Sequence, residues 1–425
     1  MEQEIMLEKS NPILWNVQFC LLYLSRILKV MGENIATIAV VWLLIEMGGD
    51  ALSSSILFVC SSVPRTLFGP FVSPLLSNEK YQQWIFFSDL FRAITLGLVP
   101  ILYLSNHLYL WLFFLLVTLQ ASTGAIYSQS VIALLPRIVA KENIQRANAI
   151  MQSSSEVIKL VGLAGAGLLI MFMSTTSAIF LTAVLYLVSA LIILFVKTSN
   201  YYEQNNNLEE LSDERKHQNS KNESYLKRLW EGFEIVRQHS LLNSMCLLVI
   251  FVNIGMAPWS ALSALFVYQE LHGDASTLTL LRISTALGAL AMGIVLTKVK
   301  IKRLGALFVL AGIVEGTSLL VTGLSDWIWM IVFCCFVMGI TLTSFDVPEY
   351  VIIQTTVPLH QQAQVYSVIT MLGNLFVPIA FVSAGIIANW FGISIVVIIG
   401  GMVSIISGII VYKKSSLSKM TLAET

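Results

Sequence analysis

A chain of 425 residues that is 56% hydrophobic and only 12% charged has about half the charge, roughly 25%, of a soluble globular protein, so most of its surface cannot face water. Lysine plus arginine equals aspartate plus glutamate at 25 each, which leaves no basic surplus for nucleic acid. The five cysteines, Cys20, Cys60, Cys246, Cys334 and Cys335, lie in apolar runs without zinc-site spacing; they read as packing residues, and no metal or other cofactor is expected.

The chain opens MEQEIMLEKSNP, acidic and without a small-residue cleavage site, so this stretch is not a secretory signal peptide. Long apolar runs follow. A helix needs about 20 apolar residues to cross ~30 Å of hydrocarbon, and the runs are too long and continuous for barrel strands. Spans are predicted near residues 19–45, 53–76, 84–104, 108–132, 149–171 and 176–196, then near 241–268, 278–297, 304–324, 327–352, 365–388 and 392–412. The distribution of positive charge supports this count. With the N-terminus in the cytoplasm, nineteen of the 25 lysines and arginines fall in segments on that side, six lie within spans, and the outer loops hold none. One missed helix would invert every later loop and destroy this segregation.

Residues 201–224, YYEQNNNLEELSDERKHQNSKNES, are nearly free of apolar side chains and read as a solvated linker. Beyond them Leu226, Leu229, Trp230, Phe233 and Val236 recur at three- and four-residue spacing, which predicts a short amphipathic helix lying on the inner membrane face. The expected organisation is a six-helix bundle over 1–196, a cytoplasmic linker with the short helix over 197–240, a second six-helix bundle over 241–412 and a cytoplasmic tail over 413–425. A shift of 222 residues lays Phe19 on Leu241 and Pro136 on Pro358 at corresponding points of the two halves. Parallel repeats of this kind are a transporter signature, with substrate expected near the midplane.

Ionisable groups inside spans cost ~2.5–3.5 kcal/mol each on insertion scales, so each is a functional candidate. Arg26, Lys29 and Glu33 share one face of span one, with Lys29 the natural i−4 partner of Glu33. Glu33 reads either as a protonatable or cation-binding carboxylate or as half of a structural ion pair. Asp89 and Arg92, one turn apart in span three, suggest a gate ion pair joined by Arg65 of span two. Glu156 and Lys159, one turn apart in span five, precede GLAGAGLL, a run small enough to admit a neighbouring helix. Asp346 and Glu349 share a face of span ten with Pro348 between them, where the proline removes a backbone bond and could loosen the helix. Arg282 sits near the outer end of span eight and Glu315 in span nine. The outer loops and mouths carry Glu46, Asp50, Glu270, Asp274 and Asp326, which reads most simply as the converse of the positive-inside bias.

Several strings, in order along the chain, resemble the major facilitator superfamily, and within it the drug-efflux branch that includes macrolide and enterobactin-type exporters. They are Gly32-Glu33 with the following IATIAVVWLL, Pro64 with Gly69-Pro70, SDLFRA at 88–93, ALLPRIVAKENIQRANAI at 133–150, LWEGFEIVRQHSLL at 229–242 and IQTTVPLHQQAQVYS at 353–367. The chain departs from the family pattern at the inner gate. The loop after span two reads SNEKYQQW, with Ser77 where the family carries a latch aspartate, and the arginine of span four has no counterpart before Gly124.

The resemblance implies an all-α membrane protein, twelve transmembrane helices in two pseudo-symmetric six-helix bundles, in which spans five and ten line the transport path and span nine is peripheral. Glu315 therefore reads as a packing residue at least as readily as a site. Walker A, HExxH and GxSxG strings are absent, so ATP drive and hydrolytic chemistry have no visible machinery, and the expected protein is not an enzyme. The expected function is export of an amphipathic small molecule by proton antiport across a bacterial cell membrane, by a monomer with both termini cytoplasmic. Proton coupling or the substrate cavity falls to Glu33, Glu156, Lys159, Asp346 and Glu349, with Arg65, Asp89 and Arg92 at the gate. Two alternatives are a dedicated exporter of a siderophore or peptide natural product, and a non-transporting sensor or scaffold of the same fold.

Overall fold

The computed structural model describes residues 15–75, 80–140, 143–197, 225–299, 303–414 and 417. Among them the chain is helical throughout, with no strand. The apolar runs become α1 (Val17–Glu46), α2 (Ala51–Leu75), α3 (Tyr81–Leu104), α4 (Leu110–Ile138), α5 (Ile144–Phe172) and α6 (Thr175–Ile193). After the linker come α7 (Tyr225–Gln238), α8 (Ser240–Gln269), α9 (Ala275–Lys298), α10 (Leu304–Leu324), α11 (Ile328–Thr356), α12 (Leu359–Leu375), α13 (Val377–Phe391) and α14 (Ile393–Lys414). Helices are what a bilayer demands, because backbone groups there must be satisfied within the segment. Eleven described segments are long and apolar enough to cross a membrane, and Ala51–Pro64 of α2 is a further, shorter apolar helix.

The eleventh span is two helices rather than one. α12 stops at Leu375 and α13 restarts at Val377, with Pro378 in its first turn. Proline lacks the donor for the carbonyl four residues back, and it is tolerated where a helix begins. The carbonyl four residues before Pro378 belongs to Asn374, near the C-terminal end of α12. Pro348, expected to loosen span ten, lies inside an unbroken α11.

Short connections are secured by side-chain caps. Asp274 caps α9, accepting from Thr277 N at 2.9 Å, and Asp50 precedes α2, accepting from Ser53 N at 2.8 Å. Partial burial pushes both carboxyls up, but the hydrogen bonds outweigh it and hold both below the usual aspartate value.

Two compact units emerge. The first comprises Met1–Val40 and Cys60–Ser220, the second Val41–Val59 and Lys221–Thr425. In the first, α3 packs along α6 and α4. α5 approaches α1 at Gly162, where an added Cβ would stand 2.9 Å from Asn34 Cβ, as its small-residue run suggested. In the second, α10 packs along α14 and α11, α8 along α14, and α9 along α11. The α9–α11 crossing is closest at Gly288 and Gly339. A Cβ on either would run into the backbone of the facing helix, at Phe336 O or Thr285 O.

The short amphipathic helix has protein neighbours as well. α7 does not spend its apolar stripe on a membrane face alone; it packs on α12 and α8. Val236 is buried, and Phe233 and Ile235 pack against the cluster that includes Leu242, Val365 and Val368. A stripe can be covered by lipid or by protein, and here Gly232 lets the helix come close, with a built Cβ only 3.0 Å from Gln364 O. Trp230 remains exposed and stacks on Phe233 at 5.6 Å.

Candidate functional site

The charges of spans one and three meet in the first unit. Glu33 lies midway along α1 and Arg92 midway along α3. One carboxylate oxygen, Glu33 Oε1, takes both Lys29 Nζ at 3.0 Å and Arg92 Nη1 at 2.8 Å. The i−4 pairing expected of Lys29 is therefore present, and a second cation from another helix joins it. Arg92 is 1% exposed and Glu33's side chain 28%, so the guanidinium is enclosed while the carboxylate keeps an open side.

Each cation is also held from behind. Arg92 Nε donates to Thr123 Oγ1 of α4 at 2.9 Å, and its guanidinium lies 5.6 Å from the Tyr186 ring centre. The Lys29 ammonium stands 4.0 Å over the Tyr127 ring, a cation–π contact worth more when desolvated. Arg26, one turn before Lys29, donates to Ser155 Oγ of α5 at 3.3 Å.

Asp89 does not pair with Arg92, which corrects the expected gate ion pair. Both leave the same face of α3, but the longer arginine reaches across to α1, and a hydroxyl meets the aspartate. Ser189 Oγ of α6 donates to Asp89 Oδ2 at 2.7 Å. A hydroxyl has one proton, so Ser189 then accepts from Ser25 Oγ of α1, 2.9 Å away. Asp89 is fully buried, and its Oδ1 and the Tyr127 hydroxyl have no hydrogen-bond partner among the described residues. Lys29, Arg92, Glu33 and Asp89 thus form a set of two cations and two carboxylates in mutual electrostatic range, balanced at zero if all are ionised. A buried charge left without this balance would cost several kcal/mol.

The remaining sequence candidates are distributed elsewhere. Lys159 is half-buried on α5, while the side chains of Glu156 and Arg65 lie outside the described residues. Asp346 and Glu349 are in the second unit on α11, Asp346 exposed and Glu349 half-buried. Arg282 donates to Ser263 Oγ of α8 at 2.8 Å. Thr123, Tyr127, Ser25 and Ser189 were not singled out by the sequence. Hydroxyls interrupt nearly every span of this chain, so nothing in their spacing distinguishes these four.

A profile of the family described as Major Facilitator Superfamily matches residues 22–380. The chain is 36% identical over 96% of its length to an uncharacterized MFS-type transporter, YvqJ, of Bacillus subtilis (strain 168), covering 95% of that protein. It is 20% identical over 91% of its length to macrolide efflux protein A of Streptococcus pyogenes, covering 93% of it. Among solved structures, a mutant form of the nucleoside transporter NupG superimposes with a TM-score of 0.71 at 12% identity, over 93% of this chain and 99% of that one; at that identity the likeness concerns the fold.

Proposed function

The chain belongs to the major facilitator superfamily, and from that premise we propose that it exports amphipathic small molecules in exchange for protons, with Glu33 as the coupling carboxylate. The setting is a bacterial cell membrane, crossed by a monomer with both termini in the cytoplasm. The observation that carries the reading is the double use of Glu33 Oε1 by Lys29 and Arg92 at mid-helix, with the carboxylate partly open. The efflux direction and drug-like substrate class draw on the likeness to macrolide efflux protein A.

The mechanism follows from charge balance. Ionised Glu33 ties α1 to α3 through Arg92. A proton on Glu33 would neutralise the anion shared by the two cations, release Arg92 from α1 and leave Asp89, among the described residues, as the carboxylate balancing them. Two states of the first unit would then differ in free energy by the lost contact, and protonation would shift the population between them. Substrate binding and proton binding become competitors for one conformational equilibrium, which is what antiport requires.

Inverted vesicles bearing the protein provide the test. We expect uptake of ethidium or a macrolide driven by an imposed pH gradient, abolished when the gradient is collapsed, and lost in Glu33→Gln while the variant still folds. Transport that persists after the gradient is dissipated sinks the coupling; full transport by Glu33→Gln removes Glu33 from it.

A further inference from the structure

The second unit treats its carboxylates quite differently. Helices α8, α10 and α11 carry no lysine or arginine, yet α10 holds Glu315 and α11 holds Asp346 and Glu349. Glu315 is 6% exposed. Its turn of α10 faces the bundle, because Gly312 rests on Val252 of α8 and Phe345 of α11, and Gly316 on Gly401 of α14. Among the described residues none of the three carboxylates accepts a hydrogen bond or pairs with a cation. Their electrostatic neighbours are one another, Glu315 with Asp346 and Asp346 with Glu349. The arginine of α9, Arg282, is neighbour to Cys335, and eleven residues of α11 separate Cys335 from Asp346, about 16 Å of helix rise.

Three carboxylates without a cation partner among the described residues are expensive in membrane-spanning helices, and a proton or a bound cation would relieve that cost. Next to them Tyr350 and Tyr366 stack at 4.9 Å, with their hydroxyls 2.6 Å apart. Tyr350 is 48% exposed and lies in electrostatic range of Asp346 and Glu349, so an aromatic face adjoins the acids. Among the described residues no three acidic, histidine or cysteine side chains come close enough to hold a metal ion. Spread-out acids beside an aromatic stack suit a large, weakly hydrated cation whose charge meets both carboxylates and ring faces.

We propose that Glu315, Asp346 and Glu349, with Tyr350 and Tyr366, hold the cationic head of an amphipathic substrate. This rests on the export reading and deepens it: the substrate class is the organic cation, and its charge is met in the second unit, away from the Glu33 network.

The experiment is equilibrium binding of tetraphenylphosphonium to purified protein in lipid nanodiscs, with tetraphenylborate, of the same shape and opposite charge, as control. The cation should bind and the anion should not. Glu315→Gln and Asp346→Asn should each weaken cation binding about tenfold or more, one charge contact being removed. Without ligand both variants should be at least as stable to heat as the parent, since each loses an uncompensated charge. Equal affinity for the anion, unchanged binding in the variants, displacement of the cation by manganese ions, or a fall in unliganded stability each overturns the proposal. Binding needs neither gradient nor direction, so a negative result leaves proton-driven export standing, and failed export leaves a positive binding result standing.

Discussion

Arg92 holds together more of the first unit than its single charge suggests. It bonds Glu33 on α1 and Thr123 on α4 from its place on α3. Replacing it by leucine removes the Arg92 contact of Glu33 and leaves Thr123 without this donor. Breaking a buried pair from one side costs about 3–5 kcal/mol, and Arg92→Leu should lower the thermal midpoint in detergent accordingly. The double variant Glu33→Gln/Arg92→Gln removes one charge of each sign and should be milder. A double variant as unstable as the single one would mean that the charge pair is not the source of the loss. Sequence spacing exposed half of this arrangement. Lys29 and Glu33 are four apart on one helix, so their contact is legible from periodicity. Arg92 is 59 residues from Glu33 and Ser189 is 100 from Asp89, and the choice among partners at such separations is made by helix packing. That is why the expected Asp89–Arg92 pair gave way to two longer-range contacts.

The helices themselves were readable because the bilayer allows so few alternatives; what the sequence hid was how each ends and what it lies against. Two prolines with the same local chemistry, Pro348 and Pro378, sit inside an intact α11 and at a helix restart. The stripe of α7 was visible, but lipid and protein cover a stripe equally well, and only packing tells which. Glycine positions carry a sharper lesson on α9. Alanine is the better helix former by about 0.5–1 kcal/mol, so Gly293→Ala, where nothing stands within 4 Å of the new methyl group, should stabilise the protein. Gly288→Ala places the same methyl against the Phe336 carbonyl and should destabilise it, overpacking costing about 1–3 kcal/mol. Thermal unfolding in detergent reads both, and matching signs would contradict the close α9–α11 crossing.

For the whole molecule, the arrangement of positive charge predicts sidedness. In a variant without the five native cysteines, a cysteine at Asn106 or Ser325 should react with an impermeant maleimide added to intact cells. One at Asn205 or Ser415 should react only after permeabilisation. Labelling of Asn205→Cys from outside would reverse the orientation and with it the assignment of the linker to the cytoplasm. Twelve spans and family membership were within reach of composition, run lengths and local strings. The grouping of Val41–Val59 with the second unit was not, because a linear reading divides the chain at the linker, whereas packing assigns this stretch by what it touches: Asp50, between α1 and α2, accepts from Asn389 of α13 at 2.7 Å.

The shared oxygen of Glu33 also makes substitutions around it non-additive. Losing Glu33 leaves Lys29 and Arg92 with Asp89 as a shared counter-charge, and losing Arg92 weakens the hold on Glu33. Positions 29, 33 and 92 are therefore energetically coupled through one atom, so the cost of a substitution at any of them depends on which residues stand at the other two.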